Sequence, residues 1–85
     1  MALKMIVSIE FFGMQRAVTG TDRIDMTVTE KATVADVLEE VRRRYPELPL
    51  DEKKVLITIN QEMASPDTVL KANDTVSFLP SIGGG

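Results

Sequence analysis

Residues 33–46 read TVADVLEEVRRRYP, and their reading decides the fold. Val34, Val37, Leu38, Val41 and Tyr45 recur at i, i+3, i+4, i+7 and i+11, which lays one apolar stripe along one side of a helix. Thr33 is a good N-cap, and Asp36 three residues on completes a capping-box-like pair, in a place where Glu or Gln is usual. Acidic residues come early and Arg42, Arg43 and Arg44 late, the order that the helix dipole favours. Pro46 stops the helix. A lone helix with one apolar side needs a sheet to cover that side.

The sheet is legible on both flanks. Upstream, residues 3–12 (LKMIVSIEFF) place Leu3, Met5, Val7, Ile9 and Phe11 on one side of a period-two pattern, with Lys4, Ser8 and Glu10 on the other. Residues 23–29 (RIDMTVT) form a second strand that faces inward with Ile24, Met26 and Val28. Gly13 to Asp22, between them, reads as a long turn, so the two strands are expected as an antiparallel hairpin with a generous loop. Downstream, Glu47 to Lys53 is a proline-containing loop, and residues 54–60 (KVLITIN) form a third strand facing inward with Val55, Ile57 and Ile59. Gln61 to Asp74 carries the turn chemistry of Ser65-Pro66-Asp67 and Ala72-Asn73-Asp74, with a short extra strand or turn near Glu62 to Ala64. The last strand runs from Thr75 to Ile82 and buries Val76, Phe78 and Ile82.

The order is therefore β-β-α-β-β. Gln61 to Asp74 has no apolar stripe long enough for the second helix that a split-βαβ sandwich requires. The expected fold is α+β: a β-grasp (ubiquitin-like) domain over 1–82, with a mixed sheet of four to five strands on one main helix, and a flexible glycine tail at 83–85. Fold alone does not give function.

Composition narrows the chemistry. The 85 residues contain no cysteine and no histidine. That removes disulfides, thiolate nucleophiles, sulfur-built metal sites and the usual general base near neutral pH. No metal site is expected. The formal net charge of -3 argues against nucleic acid, and the arginine cluster reads as one solvated helix end, preceded as it is by Glu39-Glu40. No apolar run reaches the ~20 residues of a membrane span. The first residues alternate like a strand and have no small-residue cleavage site, so cytoplasm is the default compartment.

Two features are left over. By strand parity Ile6, Phe12, Leu56 and Leu79 face away from the core, and Met63 sits in a turn-rich segment. The first and last strands of a β-grasp lie side by side, which brings Phe12 and Leu79, with Met63, toward one surface patch of the kind that marks a partner. The other feature is the ending, Pro80-Ser81-Ile82-Gly83-Gly84-Gly85. Three glycines extend about 10 Å past Ile82 and, lacking Cβ atoms, thread a channel too narrow for other residues. The reactive group there is the α-carboxylate. A carboxylate is a poor acylating agent, so an ATP-consuming partner must activate it as an acyl adenylate. Replacement of AMP by sulfur gives a thiocarboxylate; replacement by lysine gives an isopeptide.

FFGMQRAVTG at 11–20, VADVLEEVRRRYP at 34–46, TINQEMA at 58–64 and NDTVSFLPSIGGG at 73–85 together resemble the sulfur-carrier branch of the ubiquitin-like family, closest to the molybdopterin synthase small subunits. The chain departs from that pattern with Gly13 where alanine is usual, Ala17 where Glu follows the arginine, Leu79-Pro80-Ser81 in place of Phe-Pro-Pro, and a third glycine, Gly83. The resemblance implies that Gly85 is adenylated by an enzyme of the ubiquitin-activating type and converted to a thiocarboxylate. It further implies that Gly84, Gly83 and Ile82 line the partner's channel, and that Phe12, Met63, Leu79 and Pro80 form the partner interface. Its sulfur would serve molybdopterin, and hence molybdenum cofactor, biosynthesis, in a heterotetramer with the large synthase subunit. No cofactor would be bound; ATP would be consumed by the activating partner, and the sulfur carried covalently. The chain would not be an enzyme on its own. Carriers for thiazole, cysteine or tRNA thiolation, and a modifier conjugated to lysines, share the tail and the fold.

Overall fold

The computed structural model describes residues 3–48, 50 and 55–80. The first strand, β1, spans Lys4–Glu10 and is followed by a short helix, α1, over Met14–Thr19. Strand β2 (Arg23–Thr29) leads to the main helix α2 (Val34–Arg44), and β3 (Val55–Ile59), β4 (Glu62–Met63) and β5 (Thr75–Pro80) complete the chain. The expected Ile82 at the end of the last strand, Lys54 at the start of the third, and the glycines Gly83, Gly84 and Gly85 lie outside the described residues.

Helix α2 is built as its sequence dictates. The Thr33 hydroxyl accepts the Asp36 N–H and the Asp36 carboxylate accepts the Thr33 N–H (2.9 Å), so the shorter aspartate does close the capping box. Val34, Val37, Leu38 and Val41 are buried, and the Tyr45 N–H closes the last turn on the Val41 carbonyl before Pro46. Two of the arginines are solvated, as expected, and bind Glu40 at 2.6 Å (Arg43) and 3.0 Å (Arg44). These guanidiniums, Arg44 first, hold the Glu40 carboxyl below its usual range. Arg42 does something else: its guanidinium donates to the Leu50 carbonyl and ties the loop back to the helix.

The five strands form one mixed sheet in the order β2-β1-β5-β3-β4. The β1–β2 hairpin is antiparallel with Val7 opposite Met26, while β1 and β5 run parallel, with Ser8 opposite Thr75 and Glu10 opposite Ser77. β3 pairs antiparallel with both β5 and the two-residue β4. Asn60 and Gln61 turn the chain between β3 and β4 with φ of 53° and 71°, the left-handed pair that a tight hairpin needs. The inner face presents Val7, Ile9, Met26, Ile57, Val76 and Phe78 to the apolar stripe of α2. Phe11 packs edge-on against Tyr45, with ring centroids 5.8 Å apart, and closes one end of this core.

Several expectations change. Gly13 to Asp22 is not simply a turn: it holds α1, entered at Gly13 with φ 56° and closed by Gly20 with φ 75°, whose N–H bonds the Arg16 carbonyl. Six residues are too few for a periodic pattern to announce a helix. Leu3, expected in the core, is 67% exposed because it precedes β1. Ser8, expected on the outer side, is buried, as are Thr58 and Ser77 on the same face, since small side chains on central strands are overshadowed by their neighbours. The core also takes Ala32, Leu48, Leu50 and Leu70 from loops. Leu70 is drawn in by its N–H bond to the Ala32 carbonyl, and the Thr68 carbonyl accepts the N–H of Val34. Residues 61–74 contain no helix, as their pattern requires, and no helix among the described residues is long and apolar enough to cross a membrane.

Because the Thr33 hydroxyl is the partner of the Asp36 N–H in the first turn of α2, Thr33→Ala should lower the unfolding free energy by about 1 kcal/mol. A shifted denaturant midpoint with an unchanged slope is the expected result.

Candidate functional site

The outer face of the sheet can be laid out from the strand registers. Leu56 stands opposite Leu79, and Thr58 stands between Ser77 on one side and Met63 on the other. The paired β1–β5 register ends at Glu10 and Ser77, and two residues further on from each, Phe12 and Leu79 face the same shallow concavity. The result is an apolar row, Phe12, Leu79 and Leu56, across three strands at one end of the sheet. Phe12 is 41% exposed, Leu56 43% and Met63 68%, whereas Leu79 is half-buried. Phe12 and Leu79 border a shallow concavity of about 530 Å³ that is also lined by Glu10, Ser77, Thr58, Asn60 and Gln61.

Met63 faces the same side as Thr58, but from the edge strand and one register step away from the Phe12–Leu79 row. It borders a neighbouring shallow groove with Val69 instead. The structure thus brings Phe12 and Leu79 together and leaves Met63 as an outlying point on the same face. Pro80 ends β5 opposite Val55, so the glycine-bearing segment follows directly from the apolar row.

Sequence reasoning missed Gln15. Its side chain is buried, although α1 is a surface helix. Its carbonyl oxygen accepts the Phe12 N–H at 3.0 Å, and its amide nitrogen donates to the Phe78 carbonyl. Gln15 therefore joins the backbone under Phe12 to the backbone just before Leu79. Nothing in the pattern of 13–22 signals this, because a polar residue inside a short helix carries no periodicity of its own. The same helix exposes Met14 (86%), two residues from Phe12 in the chain, and Val18 (39%).

The concavity is lined by apolar, hydroxyl, amide and carboxylate side chains. Histidine and cysteine are absent from the chain, and no cluster of three acidic residues among the described residues is placed to hold a metal. Glu10, the carboxylate in the concavity, makes no ion pair and no side-chain hydrogen bond among the described residues. Apolar side chains, an acidic group and backbone amides can grip another protein; none of them is set up as a nucleophile beside a base.

The chain is 31% identical over 80 residues, covering 93% of it and 96% of the relative, to the molybdopterin synthase sulfur carrier subunit of Mycobacterium tuberculosis. Among solved structures, small archaeal modifier protein 1 from Methanosarcina acetivorans superposes with a TM-score of 0.78 at 28% identity, covering 98% of this chain and 99% of that one. A chain in the complex of subunits 1 and 2 of the molybdopterin-converting factor from Helicobacter pylori matches with a TM-score of 0.56 at 26% identity, covering 95% and 100%. These relatives are ubiquitin-like β-grasp proteins, named as carriers, modifiers or subunits and not as stand-alone enzymes. Residues 9–85, which take in β2 to β5, both helices and the closing glycines, match the ThiS family, and the chain belongs to it.

Proposed function

We propose that this protein is a sulfur carrier, the small subunit of a molybdopterin synthase. The observation that carries the proposal is near-full-length similarity to a sulfur carrier subunit, together with a family match that runs through Gly85. In the proposed cycle the Gly85 carboxylate attacks the α-phosphorus of ATP on an enzyme of the ubiquitin-activating type and releases pyrophosphate. A sulfur nucleophile supplied by that system then displaces AMP and leaves a C-terminal thiocarboxylate. The large synthase subunit binds the same carrier and directs the sulfur to a pterin precursor, in a heterotetramer of two small and two large subunits. Gly84, Gly83 and Ile82 thread the partner's channel, while Phe12, Leu79, Pro80 and, from the edge, Met63 form the grip. The carrier itself holds no cofactor.

The similarity to small archaeal modifier protein 1 supports a second reading, in which Gly85 is joined to lysines of other proteins. Carriers for thiazole, cysteine or tRNA thiolation use the same chemistry with different acceptors.

Incubation with the activating enzyme, ATP and a sulfur source should raise the intact mass by about 16 Da, one oxygen exchanged for sulfur at an activated acyl group. No gain would defeat the carrier reading, and lysine-linked adducts in extract would favour the modifier. Removing Gly84 and Gly85 should abolish the gain and leave thermal unfolding unchanged, since the described core is complete by Phe78. Phe12→Ala should weaken binding of the large subunit by ~10-fold or more, as expected for an aromatic anchor. Its effect on stability should be small, because the ring is already 41% exposed.

A further inference from the structure

The β1–β5 ladder stops where Gln15 enters it. In a parallel pair the rungs recur every second residue. The first rung is the Ser8 N–H on the Asp74 carbonyl, at 2.8 Å. With Ile9 opposite Val76 and Glu10 opposite Ser77, the same donor series continues with Glu10 on Val76 and then Phe12 on Phe78. That last rung is not made directly. The Phe12 N–H goes to the Gln15 side-chain oxygen, and the Phe78 carbonyl receives the Gln15 side-chain N–H. A carboxamide has the donor and acceptor of a peptide unit, so it satisfies both backbone groups while keeping them roughly two hydrogen-bond lengths apart.

We infer that Gln15 is a positioning residue: its amide, spliced into the ladder between Phe12 and Phe78, sets the width of the cleft between Phe12 and Leu79 that receives the large subunit. The cleft opens at this point, for Glu10 and Ser77 of the last paired position and Phe12 and Leu79 of the spread one all line the concavity. A side chain that could not bridge would leave two alternatives. Either the strands close to make the direct rung and narrow the cleft, or they stay apart with a backbone donor and acceptor unpaired. Both alter the relative placement of Phe12 and Leu79. The inference rests on the proposed use of that patch as the partner surface, and the experiment separates the two.

Gln15→Met keeps the volume and removes both hydrogen bonds. Gln15→Glu keeps the acceptor for Phe12, but its carboxyl donates to the Phe78 carbonyl only when protonated. Burial and the facing carbonyl raise the pKa of that introduced carboxyl, so the bridge is present at low pH and lost as pH rises through the raised value. Glu10, which lines the same cleft, and Arg16, on the same short helix, are common to wild type and variant; the variant-to-wild-type ratio therefore isolates position 15.

Affinity for the large subunit is measured by calorimetry for wild type, Q15M, Q15E and F12A across mildly acidic to mildly alkaline pH, with folding followed by circular dichroism. Q15M should bind ~10-fold more weakly, in line with the loss of a bridging pair that leaves buried backbone groups unpaired. Q15E should approach wild type at acid pH and fall toward Q15M as pH rises. If F12A is weakened but Q15M binds like wild type, the spacer role is wrong and the partner surface stands. A Q15E variant whose ratio to wild type does not move with pH also overturns the role, and does so even if Q15M fails to fold. If F12A binds like wild type, the partner surface is wrong and the spacer role falls with it.

Discussion

Ser8, Ile9 and Glu10 lie parallel to Thr75, Val76 and Ser77 in the middle of the sheet, and the remaining structure is arranged around that pairing. Parallel neighbours cannot be joined by a tight turn, so the chain between them must leave the sheet, cross one face and return. Here the crossing is made by α2, whose buried stripe of Val34, Val37, Leu38 and Val41 covers Val7, Ile9, Val76 and Phe78. Both central strands are thereby shielded on one side by a helix and on their edges by β2 and β3. The pairing also has a functional geometry. It sets the end of the first strand beside the end of the last, so Phe12 and Leu79 become neighbours although they are remote in the chain.

How much of this was legible in the sequence follows from where each residue's environment is decided. Val34, Val37, Leu38 and Val41 announce themselves because helical period alone fixes their common face. The same holds for Val7, Ile9, Val76 and Phe78, where a period of two suffices. Leu48, Leu50 and Leu70 are core residues in loops, and their burial depends on tertiary hydrogen bonds such as Arg42 to Leu50 and Leu70 to Ala32 that no local pattern encodes. Ser8, Thr58 and Ser77 point outward as parity demands, yet are buried because they are short and central. Phe12 and Leu79 were legible as outward apolar residues, and Met63 as exposed; its separation from the other two needed the register of the edge strand. Gln15 was invisible, since what buries it is the splaying of two strands that only the assembled sheet defines.

On the proposed reading, the absence of histidine and cysteine is a division of labour. The reacting atom belongs to the C-terminal carboxylate, and everything that polarises it, displaces from it or accepts from it belongs to a partner. The folded domain must then present one surface to two partners in succession, the activating enzyme and the large subunit. Since both would use the row of Phe12 and Leu79, they exclude each other, and charging is separated in time from delivery.

That sequence of partners constrains how sticky the surface should be. A carrier that bound its activating enzyme through a large apolar face would dissociate too slowly to deliver, because affinity differences among related complexes are expressed mostly in the off-rate. The face fits this need: Phe12 and Leu79 line one concavity with an acidic group, Glu10, and amide-bearing Asn60 and Gln61, and Leu56 stands beside Leu79. A small patch gains its selectivity from shape more than from area, which places the weight on holding Phe12 and Leu79 at a fixed separation. A loop tip would not hold them; a sheet continued through a side-chain amide does. The buried Gln15 amide, which satisfies both backbone groups, thus also serves the spacing that a weak but selective surface needs.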